Sequence, residues 1–240
     1  MSSRRVKVSP LATVAMTRAE PAGLEPLIVA LVNAATLDDA RGVAARSLSN
    51  LACDDAFRRD IARAGGIEPL VALVKDGAFE QQQMAIVALK MLSFRDHANK
   101  VLIRIAGGIA PLVDLVQDYT FAAATLSNLA VDAENRVAIA QAGGIEKLIA
   151  QVRNGHGAWR ADAAAALNNL ALDDTNRSAI AAAGGIESLV LLARDGGAEE
   201  QLHATNALRV LVVNNDENLV AVSKAAALAG LAVDGFVAPD

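Results

Sequence analysis

The sequence predicts an all-α chain folded as a helical solenoid, and three observations predict it. One phrase recurs: "AGGIEPLVALVKDG" from Ala64, "AGGIAPLVDLVQD" from Ala106, "AGGIEKLIAQVRNG" from Ala142 and "AGGIESLVLLARDG" from Ala183, with a worn copy, "PAGLEPLIVALVN", from Pro21. The second glycines, Gly23, Gly66, Gly108, Gly144 and Gly185, are separated by 43, 42, 36 and 41 residues, and such a period without a strand pattern belongs to stacked helical repeats. Hydrophobic residues make up 53% of the chain but aromatics only 3%, so the apolar mass is Ala, Leu, Val and Ile, small enough for helices to approach closely.

Each unit reads as three helices. The first is short, as in "DTNRSAIAAAG", and follows Asp54, Asp96, Asp132, Asp173 or Asn215, whose side-chain oxygens are placed to cap free backbone amides. The first glycine of the pair then permits a left-handed residue that ends this helix. In the second helix, Ile67, Leu70, Val71 and Val74 fall at i, i+3, i+4 and i+7, one apolar stripe. Pro26, Pro69 and Pro111 sit in its first turn, where a missing amide costs little. The third helix, such as "FEQQQMAIVALKMLS", carries a stripe of its own, Ala85, Ala88, Leu89 and Leu92. No unit can bury both stripes alone; stacking on its neighbours does so.

The predicted array occupies residues 21–234, with units near 21–63, 64–105, 106–141, 142–182 and 183–224 and a partial copy at 225–234 that puts Ala227 in the second-glycine place. Residues 1–20 read as an N-terminal tail or partial first helix and 235–240 as a C-terminal tail. Such tails either cap the array or join it to a longer protein.

Composition narrows the function. No apolar run reaches the ~18 to 20 residues of a membrane span, so membrane insertion is not expected. Cys53 is the only cysteine, which rules out an intramolecular disulfide, and its place after "LSNLA" predicts a small buried hydrophobe. An intracellular location, cytoplasmic or nuclear, fits. The net charge of −5 speaks against nucleic-acid binding, which needs a basic stripe.

The phrases "AGGIEPLVALVKDG", "ATLSNLAVDAENRVAIAQAGGIEKL" and "AAALNNLALDDTNRSAIAAAGGI" resemble armadillo repeats, the units of β-catenin, importin α and vacuolar armadillo proteins. The resemblance implies a right-handed α-α superhelix of about five three-helix repeats, with third helices lining a concave groove that binds extended peptides. It also implies an Asn ladder on the third helices, with a Trp four residues earlier in importin α. Here the Asn place holds Asn50, Asn128 and Asn169, with Met91 and Val210 in the other two units, and the Trp place holds Arg46, Val87, Ala124, Ala165 and Asn206. The candidate groove residues are therefore Asn50, Asn128, Asn169, Arg46, Met84, Val87, Met91 and Phe121. An alternative for the three asparagines is a structural role, tying neighbouring helix ends together. Where the Asn is missing, the connection to the next glycine pair is one residue longer.

The third unit lacks five residues around "QDYTFAAATLSN", which predicts a shortened third helix, with Tyr119 and Phe121 either anchoring an interface or filling the space.

Catalytic chemistry is not legible. His97, His156 and His203 lie in different units without acids or cysteines at metal-ligand spacing. "RNGHGAWR" lacks the Gly-Lys-Ser/Thr ending of a phosphate loop and reads as a turn leading into a helix opened by Trp159. Adjacent acids such as Asp38-Asp39, Asp54-Asp55 and Asp173-Asp174 point in different directions on or near a helix. The expectation is a non-enzymatic scaffold for a protein or peptide partner, with no cofactor and no metal. The alternatives are a nuclear-import adaptor, which would need the missing tryptophans, and the substrate-recognition part of a multidomain ubiquitin ligase.

Overall fold

A computed structural model describes residues 25–34, 40–232 and 236; the tail 1–20, Gly23, Asp38-Asp39 and, apart from Phe236, the tail 235–240 lie outside them. The described residues form fifteen helices and no strand. They are α1 (Glu25–Ala34), α2 (Arg41–Leu51), α3 (Asp55–Arg63), α4 (Ile67–Asp76), α5 (Phe79–Ser93), α6 (His97–Ile105), α7 (Ile109–Asp114), α8 (Ala122–Leu129), α9 (Ala133–Gln141), α10 (Gly144–Asn154), α11 (Ala158–Leu170), α12 (Asp174–Ala182), α13 (Gly185–Asp195), α14 (Ala198–Leu211) and α15 (Asp216–Leu228). The chain divides into two compact units, Met1–Leu92 and Ser93–Asp240.

Helices α3, α6, α9, α12 and α15 are the short first helices, and each starts on the residue expected. The side chains of Asp54, Asp96, Asp132, Asp173 and Asn215 accept backbone N–H bonds of 2.9–3.0 Å from Ala56, Asn99, Asn135, Asn176 and Asn218. Their neighbours Asp55 and Asp174 turn away, to Arg58 and Arg177.

The double glycine divides its work. Gly65, Gly107, Gly143 and Gly184 hold φ between +74° and +77°, the left-handed residue that ends the first helix. Gly66 and Gly108 then donate to the carbonyls of Ile61 and Ile103 at 2.9 Å, the long bond of a Schellman turn. A Cβ on Gly66, Gly144 or Gly185 would stand 2.5–2.7 Å from the Cγ2 and 2.7–2.9 Å from the carbonyl oxygen of Ile61, Ile139 or Ile180. Each isoleucine is fully buried. The second glycine is thus needed for close approach, and it lets the second helix start on top of the isoleucine.

Both stripes are buried: Ile67, Leu70, Val71 and Val74 on α4, and Ala85, Ala88, Leu89 and Leu92 on α5. Between a third helix and the first helix that follows, the free carbonyls of the third helix meet an Asn, an Arg or both. Nδ2 of Asn135, Asn176 and Asn218 donates to the carbonyls of Leu129, Leu170 and Leu211 at 2.9–3.1 Å. Asn135 also reaches Lys100 O at 3.3 Å, and Asn218 reaches Arg177 O at 3.4 Å, one unit back. The guanidiniums of Arg58, Arg136 and Arg177 donate to Ala52 O, Ala130 O and Ala171 O at 2.8–3.1 Å. Lys100 holds the arginine place in its unit, where burial lowers its ammonium pKa against the opposing pull of Asp132 and Asp96.

The irregular units have local causes. The five-residue loss falls on two helices: α7 has 6 residues where α4 has 10, and α8 has 8 where α5 has 15. Tyr119, only 6% exposed, fills the resulting turn. The longer connections after Met91 and Val210 place Arg95 and Asn214 at φ +54° and +50°, one left-handed residue inserted before the cap. Ala227 does not occupy a glycine place: α15 runs through it, the left-handed residue is Gly230 at φ +73°, and Leu231 N donates to Ala226 O at 2.9 Å. The last first-helix is four residues longer than α12, so the turn arrives later.

Gly143→Ala is expected to cost roughly 1 kcal/mol through its left-handed backbone, whereas Gly144→Ala drives a methyl into the Ile139 carbonyl and is expected to cost about 1–3 kcal/mol. Urea unfolding of the two variants checks the order; an Ala at 144 tolerated as well as wild type would contradict it.

Candidate functional site

In the first compact unit the third helices are α2 and α5, and a methyl group on Gly42 of α2 would lie 3.5 Å from Gln81 Cγ of α5. Arg46 and Asn50, one turn apart, are both exposed on α2. Met84, Val87 and Met91 are half-buried at i, i+3 and i+7 on α5, one stripe of partly accessible apolar surface.

In the second unit α8, α11 and α14 pack side by side. Their equivalent residues form four rows by helical register. Phe121, Asp162 and His203 form the first; Ala124, Ala165 and Asn206 the second; Asn128, Asn169 and Val210 the third; and Val131, Leu172 and Val213 the fourth, in the turns that close each helix. Phe121 is half-buried at the N-terminus of α8. The helices are also cross-linked by charge, with Arg160 Nε on α11 2.6 Å from Glu200 Oε1 on α14. This hydrogen bond holds the Glu200 carboxyl below its ordinary pKa, against the opposite pull of burial, and raises Arg160.

The asparagines of the third row are engaged within the fold. Asn169 Nδ2 donates to Ser127 O at 2.9 Å and to Ser127 Oγ at 3.3 Å, and its Oδ1 accepts from Asn168 Nδ2 at 3.3 Å. Asn128 Nδ2 donates to Ser93 Oγ at 3.3 Å. Both bonds join the ends of successive third helices, which is the tying role weighed as the alternative. Ser93 and Ser127 are partners that the sequence reading did not single out, although Ser127 stands in the recurring "LSNL".

Two other residues settle as follows. Cys53 is exposed rather than buried, because α2 ends at Leu51 and the thiol lies in the turn beyond it, where Sγ donates to Ser49 O at 3.6 Å. It belongs to the register of Val131 and Leu172. Trp159 is half-buried at the start of α11, stacked on His156 with ring centroids 5.3 Å apart.

No group of three or more His, Cys, Asp or Glu residues among the described ones could hold a metal ion, and no helix among them is long and apolar enough to cross a membrane. An open cleft of about 180 Å³ between α13 and α15 is lined by Glu187, Val190, Leu191, Arg194, Ala225, Leu228 and Ala229, an apolar wall without a nucleophile.

No protein-family model matches the chain, and no curated protein does. Solved structures do match. The crystal structure of an engineered protein is 30% identical, covers 85% of each chain and superposes with a TM-score of 0.75. A computationally designed armadillo repeat protein for modular peptide recognition is 25% identical over 85% of this chain and 88% of its own, at TM-score 0.77. A designed armadillo repeat protein in complex with a (KR)4 peptide is 22% identical over 87% and 99%, at TM-score 0.78.

Two outcomes are expected. Asn169→Ala lowers stability by about 1 kcal/mol by releasing Ser127, seen as a lower urea midpoint; an unchanged midpoint would remove the tying role. Glu200→Gln is less stable than wild type at neutral pH, and the gap closes as the pH falls below about 4.3. A depressed carboxyl contributes stability above its unfolded pKa and loses it as protons bind through the lower folded one. Unfolding curves at several pH values check this, and a gap that persists in acid would contradict it.

Proposed function

Because this chain has an armadillo-like repeat fold, we propose that it is a non-enzymatic interaction scaffold that binds an extended segment of another protein along the face of its third helices. The observation that carries this reading is the repetition of accessible side chains, in register, on helices locked by inter-unit hydrogen bonds. A surface fixed before binding loses little conformational entropy when a flexible segment settles on it. The likeness to a design made for modular peptide recognition supports the same use of the fold.

Each compact unit carries such residues on its own third helices. Arg46, Asn50, Met84, Val87 and Met91 offer charge, amide and apolar contacts on α2 and α5, and Phe121, Asn128 and Asn169 do so on α8 and α11. The apolar members supply affinity through burial. With their amide N–H groups directed at serines, Asn128 and Asn169 shape the floor more than they grip the ligand.

Peptide display against the full chain tests the reading. Selection is expected to enrich a peptide whose binding weakens at least tenfold, about 1.4 kcal/mol, in the Met84→Ser/Met91→Ser variant with unchanged circular dichroism. A library that yields no binder to the folded chain would refute it.

A further inference from the structure

Phe94, Val131, Leu172 and Val213 are 43%, 57%, 53% and 48% exposed. Single exposed apolar side chains are ordinary on a protein surface. These four are not scattered: each lies three residues beyond the Asn-ladder place, in the turn that closes a third helix, and all belong to the second compact unit. The turns are held from within, since Arg136 donates to the carbonyls of Ala130 and Val131 at 3.0 and 3.1 Å, and Arg177 to that of Ala171 at 3.1 Å. An apolar row on rigid backbone can dock a ligand without prior ordering.

The chemistry beside Val131, Leu172 and Val213 is mostly acidic, with Arg209 in the last turn of α14 as the exposed exception. Glu134, Asp174, Asp216 and Glu217 follow Val131, Leu172 and Val213 by two to four residues and are exposed, the side chains of Glu134 and Asp174 by 75% and 90%. The basic residues of the same turns, Arg136 and Arg177, point inward onto carbonyls. Glu134 pairs with Arg104 and Asp174 pairs with Arg177, yet both carboxylates stay open to solvent. At the Phe94 end the exposed charge is Arg95, whose guanidinium carbon lies 5.1 Å from the Phe94 ring centroid.

We infer that this row docks an extended segment of a partner protein carrying an apolar side chain about every third residue, with lysine or arginine between. The inference rests on the scaffold reading and names the chemistry of its partner. The spacing follows from two lengths: packed helices lie about 8–10 Å apart, and a polyproline II chain brings every third side chain back to the same face after about 9 Å. The positive charges meet the acidic rim.

Fluorescence anisotropy on the full chain tests this with a 12-residue peptide of four Leu-Lys-Ser triplets, a second of the same composition with its leucines clustered, and a third with Glu in place of Lys. The spaced cationic peptide is expected to bind at least tenfold tighter than either control, and Val131→Ser/Leu172→Ser/Val213→Ser to weaken it at least tenfold with helicity unchanged. If the triple variant loses helicity, Leu172→Ser alone is judged by the same criterion. Equal binding of spaced and clustered peptides overturns the inference. So does a serine variant that binds as wild type; if Met84→Ser/Met91→Ser then loses the peptide, the scaffold reading survives without the row. A dimer that the triple variant converts to monomer in sedimentation would give the row to a second copy of this chain and also overturn it.

Discussion

The structure depends on closing helix ends that cannot reach water. The last carbonyls of a helix have no partner within it, and in a stacked array those of the third helix are covered by the next unit. Here the Asn and Arg that open the following first helix supply the missing donors, as Asn176 and Arg177 do for Leu170 and Ala171. The same asparagine presents its backbone N–H to the capping Asp173. One short segment therefore starts one helix and finishes another, and it fixes the register between them. Bonds that reach one unit further back, Asn135 to Lys100 and Asn218 to Arg177, carry that register from one layer to the next.

Register is what turns separate helices into a surface. The third helices α8, α11 and α14 present equivalent residues in register because an Asn of the following first helix pins each C-terminal end, joined by an Arg at α8 and α11. The cost falls on the polar groups nearest the joint. Asn128 and Asn169 direct amide donors at serines of the preceding third helix, so these units use part of their polar side chains to hold themselves together. The accessible apolar residues next to the joint, Val131 and Leu172, have no such duty.

Much of this was legible in the sequence because it rests on short-range rules. Caps at Asp54, Asp96, Asp132, Asp173 and Asn215, left-handed first glycines and buried stripes each follow from a few neighbouring residues. The bonds across 35 and 42 residues were visible only as alternatives, since spacing aligns Asn169 with Ser127 but does not say whether the amide turns inward. Cys53 was misread for a related reason: helical periodicity was carried past Leu51, where the helix has already ended. Ala227 fell short because a degraded repeat was aligned by distance alone, while the turn waits for Gly230, the residue that tolerates it. The exposed row left a trace, an apolar residue just before the cap or one place earlier, but a turn residue has no face until the turn is built.

The repeats vary in length, and the variation is not spread evenly. The five-residue loss shortens the end of α7 and the start of α8, and the single insertions at Arg95 and Asn214 lie just before the capping residues. The segment from the ladder place to three residues beyond it keeps its length in all five units, whether it reads Asn50 to Cys53, Met91 to Phe94 or Val210 to Val213. Mechanically this is the end held by donors of the following first helix, Arg58 after α2, Asn135 with Arg136 after α8, Asn176 with Arg177 after α11 and Asn218 after α14, and a change of length there would break those bonds. The length change falls at the other end, where Tyr119 folds into the gap and the segment beyond Asn128 keeps its place. A ligand laid across the fixed ends would meet side chains at a regular interval even where the units themselves are irregular.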